Sequence, residues 1–472
     1  MLRNGKLPSL EEIGQFSIYK INNENANSVL AFLAGDKNCG WNAQRNLLKG
    51  LNHLNLLRRK EEIAERLLLH NTKTLTSVFE RNYQLLADHQ RKQVTTKWTI
   101  EQISKEASLS NEEVTALLLD YISLGHLEFH PSDICNLRCK GCTYGHDTSE
   151  LKPDRICFPF NKLENLAFFR PKSILLSGGG EPTLYSDSNS GERYNFKDLV
   201  LRIKELMPNV RLALVTNGTH FVPESDWIRH LDWIRVSIDA ATPETYGKFR
   251  GKKEFFDRVI DNLLTYLNFP IKYVGASFLY SQANISEYVA FAKKLYELVS
   301  DKAPQHLHKF NLQYRPLRKD PKDEKRDFPE QITEKQIMRV VSAIIQFADS
   351  SPDVEKFLRD QTNIEAVLGG NSHPPHDFSR CFYSQVFHIV RANGEIRPCF
   401  IRVTEPDFKM GNVLKYNPKE ISLNSLYIAA RRKKYCDPYG CRQCHVNYLL
   451  EAGLNGKIKP SKMPAVANDA FF

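Results

Sequence analysis

Residues 126–142 read HLEFHPSDICNLRCKGC. A short apolar run and a proline turn lead into Cys135, Cys139 and Cys142. The chain holds ten cysteines in 472 residues, so three crowded into one loop need a cause. A disulfide takes two thiols and leaves one over. Three thiols at x3 and x2 spacing fit a centre that takes three protein ligands and keeps a fourth position open. The next apolar run, SILL at 173–176, ends in SGGGEP. Cysteines therefore follow one strand-length run and glycines follow the next.

Working outward, the pattern repeats. LEFHP, SILLSGGGEP, RLALVTNGT, WIRVSIDAA, KYVGASFLY and KFNLQYRPLR are short apolar runs. NFKDLVLRIKELM, FFDRVIDNLLTYLN and ISEYVAFAKKLYELV lie between them with helical spacing. Strands alternating with helices imply parallel βα units with right-handed crossovers. The expected fold class is α/β, a partial (β/α)6 TIM-like barrel over 127–320. Its chemistry is expected at the carboxyl ends of the strands. The cysteine triplet, GGGEP, TNG and SIDAA all fall on that rim.

The flanks read differently. Residues 1–96 are expected as a helical N-terminal region. Residues 97–126 resemble a winged-helix module or form a helical cap. There Ser110 starts a helix through a Ser-x-x-Glu box ending at Glu113. Residues 321–378 read as a helical linker, 379–450 as a small cysteine-bearing C-terminal domain and 451–472 as a polar tail.

Composition narrows the function classes. The chain is 42% hydrophobic and 25% charged, with a formal net charge of +10. No apolar run reaches the ~18–20 residues of a membrane helix, and the N-terminus lacks a signal pattern. A cytoplasmic location without a membrane partner is expected, where thiols stay reduced and clustered cysteines read as metal or redox sites. The excess charge is mild for this length. Basic residues do not concentrate on the presumed reading helix, so a nucleic-acid partner is disfavoured.

An iron–sulfur cubane has four irons, each wanting a thiolate-type ligand. Three cysteines leave one iron open to a chelating small molecule. A structural zinc site, with His146 as fourth ligand, is the rival.

CNLRCKGC followed by SGGGEPTL resembles the radical S-adenosylmethionine (SAM) superfamily. The resemblance implies that Cys135, Cys139 and Cys142 hold a 4Fe–4S cluster whose open iron is chelated by SAM. It places Gly178, Gly179, Gly180 and Glu181 beside the methionine ammonium, and Ser237 and Asp239 near the ribose. Asn217 in TNG is read as a turn residue or a ligand contact. Gln313 and Arg315 end the sixth strand, and Arg315 suits a carboxylate. These nine residues are the expected cofactor-binding set.

The C-terminal segment has Cys381, twelve residues, Gly394, four residues and Cys399, then Cys441-x2-Cys444. It resembles twitch, the truncated relative of the SPASM auxiliary-cluster domain. The resemblance implies one auxiliary 4Fe–4S cluster on Cys381, Cys399, Cys441 and Cys444. Cys436 departs from the pattern: it replaces one of the four, sits beside the cluster as a free thiol, or is inert. Cys436 and Cys157 are the candidates for a catalytic hydrogen-atom donor, while Cys39 reads as packing.

The implied chemistry begins with an electron from a flavodoxin or ferredoxin-type reductant. SAM then splits to methionine and a 5′-deoxyadenosyl radical, which takes a hydrogen atom from the substrate. The expected substrate is a polar small molecule (a sugar, aminocyclitol or nucleotide-linked compound) undergoing oxidation, dehydration or epimerisation. Modification of a ribosomally made peptide is the alternative. A nucleic-acid-binding redox sensor ranks below both, since a sensor needs no SAM site.

Overall fold

The computed structural model describes residues 53–67, 92–142, 144, 156–188, 191–222, 225–317, 332–369 and 381–400. Beyond these it describes 403, 409–415, 421, 447, 450, 451 and 453–455. Among the described residues three helices come first: α1 (Leu54–Arg66), α2 (Lys92–Ala107) and α3 (Asn111–Tyr121). The capping box at α3 forms as its sequence predicts. Ser110 Oγ accepts from the Glu113 N–H at 3.1 Å, and Glu113 accepts from the Ser110 N–H at 2.8 Å. These helices share a small core of Ile63, Ile103, Val114, Leu118 and Tyr121.

The strands then follow in chain order. They are β1 (His126–Phe129), β2 (Ser173–Leu176), a small hairpin of β3 (Ser186–Asp187) and β4 (Tyr194–Asn195), and then β5 (Arg211–Thr216), β6 (Trp233–Ser237), β7 (Tyr273–Tyr280) and β8 (Phe310–Pro316). β1, β2, β5, β6, β7 and β8 are neighbours in that order and all parallel. These are the six runs expected from the sequence, and the α/β parallel architecture is observed. The helices on the outside include α4 (Phe196–Leu206), α5 (Pro243–Arg250), α6 (Phe256–Leu267), α7 (Tyr288–Lys302), α8 (Glu334–Ala348) and α9 (Pro352–Gln361).

Period-two alternation divides each strand between two environments. Leu127, Phe129, Ile174, Leu176, Leu212, Leu214, Ile234 and Val236 belong to the main core with the helices. The opposite face lines the lumen of the curved sheet. Leu175, Ala213 and Trp233 form a separate apolar layer there. Further along the strands the lumen turns polar. Arg235 is level with Gly275 and Asn311, Ser237 with Ser277 and Gln313, and Leu279 with Arg315. Glu128 shares this face of β1.

The C-terminal strands join the same sheet. After the short helix α10 (Tyr383–Val386) come β9 (Phe387–Val390), β10 (Glu395–Arg397) and β11 (Gly411–Asn412). β9 pairs with β1 in parallel, and β10 and β11 continue antiparallel. The described sheet thus has nine strands, three more than the six runs the sequence displays. Gly394 turns the β9–β10 hairpin at φ +77, a conformation that favours glycine. No helix among the described residues is long and apolar enough to cross a membrane.

Candidate active site

The cysteine loop leaves β1 at its carboxyl end and is fastened on two sides. Towards β2, the Gly180 N–H donates to Ser132 O and the Glu181 N–H to Ile134 O, both at 2.7 Å. This pairing requires backbone contact, and the glycine permits it. A Cβ on Gly180 would sit 2.1 Å from Ile134 O and 2.6 Å from the Asp133 carbonyl carbon. Gly179 has φ +87, and a Cβ there would lie 2.8 Å from an Asp133 carboxylate oxygen. Gly178 faces the Tyr144 ring, 3.0 Å from the place of its absent Cβ. The glycine run therefore packs against the root of the cysteine loop.

Towards α5, the Arg138 N–H donates to Arg250 O at 3.3 Å and the Lys140 N–H to Phe249 O at 2.8 Å. Cys139 lies between these two straps. Gly251 ends α5 in the left-handed region at φ 84, so the last carbonyls of the helix face the loop.

Glu181 is buried, and its carboxylate is occupied by protein donors. Oε1 accepts from Thr183 N, Thr183 Oγ1 and Thr216 Oγ1, at 3.1, 2.7 and 2.6 Å. Oε2 accepts from the Asn217 N–H at 2.6 Å. Burial raises the Glu181 pKa, and these hydrogen bonds oppose the rise. Glu181 thus ties the ends of β2 and β5 together. Asn217 carries the link onward, donating to Asn136 Oδ1 at 2.9 Å and accepting from Thr219 at its own Oδ1. Its amide nitrogen lies 4.0 Å from Cys135 Sγ.

Asp239 sits just past the end of β6 with φ 63, a left-handed position that an Asp tolerates better than most residues. It accepts from the Leu279 N–H at 2.7 Å and pairs with Arg250 at 2.5 Å. Arg250 in turn donates to Cys139 Sγ at 3.2 Å. Burial pulls the Arg250 pKa down, but the charges of Asp239 and Cys139 outweigh it and leave it raised. Burial also raises the Asp239 carboxyl, against the pull of Arg250.

The donor set of the loop fits a cluster. The three thiols form no disulfide and are half-buried. Burial pushes the Cys135 thiol up to about 12, with Glu181, Cys139 and Cys142 adding to the rise. A thiolate there needs a cation to compensate it. N–H groups of Arg250 and Asn217 point at two of the sulfurs, as suits a thiolate carrying cluster charge. Among the described residues no three Cys, His, Asp or Glu side chains converge on a single-ion site. A cubane spreads its thiolates over separate irons and needs no such convergence.

The remaining expected residues are distributed as follows. Ser237 is half-buried at the lumen end of β6, level with Gln313. Gln313 Oε1 receives both Arg315, at 3.1 and 2.5 Å, and Arg235. Cys157 lies behind the loop, bridged to Ser132 through the backbone, with its thiol 3.5 Å from Ser132 Oγ. Cys381 and Cys399 are buried. They flank α10 and the β9–β10 hairpin, towards the amino end of β9. Because β9 parallels β1, that is the opposite end of the sheet from Cys135. Cys436, Cys441, Cys444, His146 and Cys39 lie outside the described residues. Asn447, three residues past Cys444, accepts from the Phe382 and Tyr383 N–H groups at 2.5 and 3.2 Å, which anchors the C-terminal flank beside Cys381.

Several residues at the site carry no sequence signal. Arg250 is 111 positions from Cys139, and nothing in KFRG marks it. Asn136 and Thr219 become visible only when TNGT is set beside the loop. Glu128 meets His130 at 2.9 Å, and His130 lies 3.4 Å from the Tyr144 hydroxyl, a contact that needs the loop to fold back over β1.

The radical SAM superfamily model matches residues 129–295, and the model of the SPASM iron–sulfur cluster-binding domain matches residues 381–445. An AdoMet-dependent heme synthase of Methanosarcina barkeri (strain Fusaro) is 26% identical over 278 residues, covering 56% of this chain and 73% of that protein. Streptococcus suis SuiB bound to S-adenosylmethionine aligns at TM-score 0.46 with 14% identity, over 75% of this chain and 79% of that one. Native anSMEcpe with bound AdoMet aligns at 0.44 with 17% identity, over 71% and 97%. BtrN in complex with AdoMet and 2-DOIA aligns at 0.32 with 13% identity, over 72% and 91%.

Proposed function

Since this chain is a radical SAM protein with a C-terminal SPASM-type iron–sulfur domain, we propose that it abstracts a hydrogen atom from a polar small molecule bearing an acidic group. Cys135, Cys139 and Cys142 would hold the SAM-binding cluster, and Cys381, Cys399, Cys441 and Cys444 the auxiliary one. Bound there, cluster and SAM together supply one-electron cleavage and hydrogen-atom abstraction.

The observation that carries the substrate class is the shared acceptor in the lumen. Arg235 on β6 and Arg315 on β8 both donate to the one side-chain oxygen of Gln313. Two guanidinium nitrogens on one oxygen lie within about 5 Å of each other, on ordinary hydrogen-bond lengths. Their repulsion is about 3 kcal/mol at an effective dielectric of 20. Burial lowers the Arg315 pKa, and Glu128 and Asp239 only oppose that pull. Those two acids have other partners, His130 and Arg250. A carboxylate or phosphate between the arginines would offset their mutual repulsion and take their N–H groups in bidentate fashion. The same groups would orient the substrate in the lumen.

The test uses anaerobically reconstituted enzyme with SAM, dithionite and a cell extract split by anion exchange. Formation of 5′-deoxyadenosine should rise with the retained small-molecule fraction. Arg315→Gln should raise the concentration of that fraction needed by about tenfold, the loss of one charge-assisted contact. A response confined to a peptide fraction, or to neutral small molecules, would overturn this reading.

A further inference from the structure

We infer that Arg250, held in place by Asp239, is a positioning residue that sets the reduction potential of the cluster on Cys135, Cys139 and Cys142. The inference concerns that loop and its cluster, and it stands whatever the substrate proves to be.

Three features of the fold converge on Cys139. The end of α5 offers its carbonyls to the loop, and the Arg138 and Lys140 N–H groups take two of them on either side of the cysteine. A helix carboxyl terminus carries roughly half a negative charge. Set against an anionic cluster, that charge alone would make reduction harder. Arg250 is the last residue of the same helix, and its guanidinium reverses the sign of what faces the sulfur. One nitrogen donates to Cys139 Sγ at 3.2 Å and another pairs with Asp239 at 2.5 Å. The side chain is 11% exposed and that of Asp239 6%, so water screens neither well.

The arrangement is held from several directions. Arg250 is fixed through its backbone by the loop and through its side chain by Asp239. Asp239 is fixed by the Leu279 N–H of β7 and by its left-handed backbone. Burying an arginine costs much unless it is paired and hydrogen-bonded, and this one is both. The pair is neutral overall, yet its positive end points at the sulfur. Hydrogen bonds to cluster sulfurs and nearby positive charge both favour the reduced, more negative cluster. A point charge would supply the second effect. The planar fork of arginine supplies both while spanning two acceptors, which a lysine does not match.

The test is an EPR-monitored redox titration of the reconstituted cluster in full-length protein, with iron measured alongside. Arg250→Gln should keep the loop cluster and make it at least tenfold harder to reduce, a fall of about 59 mV for a one-electron couple. Arg250→Lys keeps the charge but not the fork, and should fall between. Both should shift the EPR signal of the reduced cluster, which a merely structural change elsewhere would leave alone. If Arg250→Gln fails to retain iron, the Lys variant decides. A potential equal to that of the unchanged protein in whichever variant holds iron would overturn the assignment.

Discussion

Gly180→Ala is the smallest change that tests how the site is assembled. The added Cβ would start 2.1 Å from Ile134 O and 2.6 Å from the Asp133 and Ile134 carbonyl carbons. All three are backbone atoms, so no side chain can swing aside. Restoring ordinary contact requires the loop to retreat by about 1 Å, since real Cβ contacts sit above 3.0 Å. That retreat stretches the 2.7 Å bonds from Gly180 N to Ser132 O and from Glu181 N to Ile134 O. Each lost bond costs about 1–3 kcal/mol when its groups are left unsatisfied, and overpacking adds about 1–3 kcal/mol. The local cost is therefore about 3–9 kcal/mol, comparable with the stability of a whole domain. The displaced segment ends one residue before Cys135. Gly180→Ala should therefore lose iron from the loop cluster as well as SAM binding. The assay is anaerobic reconstitution with iron counted per chain, in a background lacking the C-terminal cysteines. Gly178→Ala is the control: the nearest atoms to its Cβ would be those of the Tyr144 side chain, at 3.0–3.3 Å, which can shift, and it should keep iron. A Gly180→Ala protein with full loop iron and reduced SAM affinity would refute the reasoning and give the glycine to the ligand.

Further outcomes follow from the same geometry. Glu181→Gln leaves one acceptor oxygen where two serve four donors, and it turns an amide N–H towards another donor. It should destabilise the iron-free protein by about 2–4 kcal/mol, read as a lower urea midpoint. Cys436→Ala should retain the auxiliary cluster and Cys441→Ala should lose it. The opposite iron contents would refute the proposed ligand set. Burial lowers the Lys60 pKa from 10.5 to about 7, against the pull of Asp120. The unfolded chain therefore holds a proton that the folded one releases between those values, so stability should climb with pH across that window, by at most about 1.4 kcal/mol per pH unit. Lys60→Met should flatten that slope in urea melts followed at pH 7, 8 and 9, and an unchanged slope would refute it.

Local pattern carried much of the architecture. The six parallel strands were legible because each is a short apolar run with a turn or helix signal on either side, and parallel strands buried on both faces read that way. Ser110 and Glu113 announced a helix start because a capping box acts within four residues. The cysteine loop and the glycine run could be assigned to one rim because both follow strand ends. FHIV at 387–390 has the same look, yet its place beside β1 is a pairing across more than 250 positions that local pattern does not encode. The partner of a polar side chain is also set by distance in space. Asp239 reads as a strand-end carboxylate, and only the fold brings Arg250 to it, along with the sulfur of Cys139. Glu181 reads as a contact of the methionine ammonium; Thr183, two residues on, supplies two of its four donors, and only the fold brings the other two, Thr216 Oγ1 and the Asn217 N–H. Sequence periodicity reports which face a residue occupies, because burial follows the repeat of the backbone. Which charge meets which donor on that face is decided by tertiary packing, where a few ångströms change an exposed ion into a bonded one.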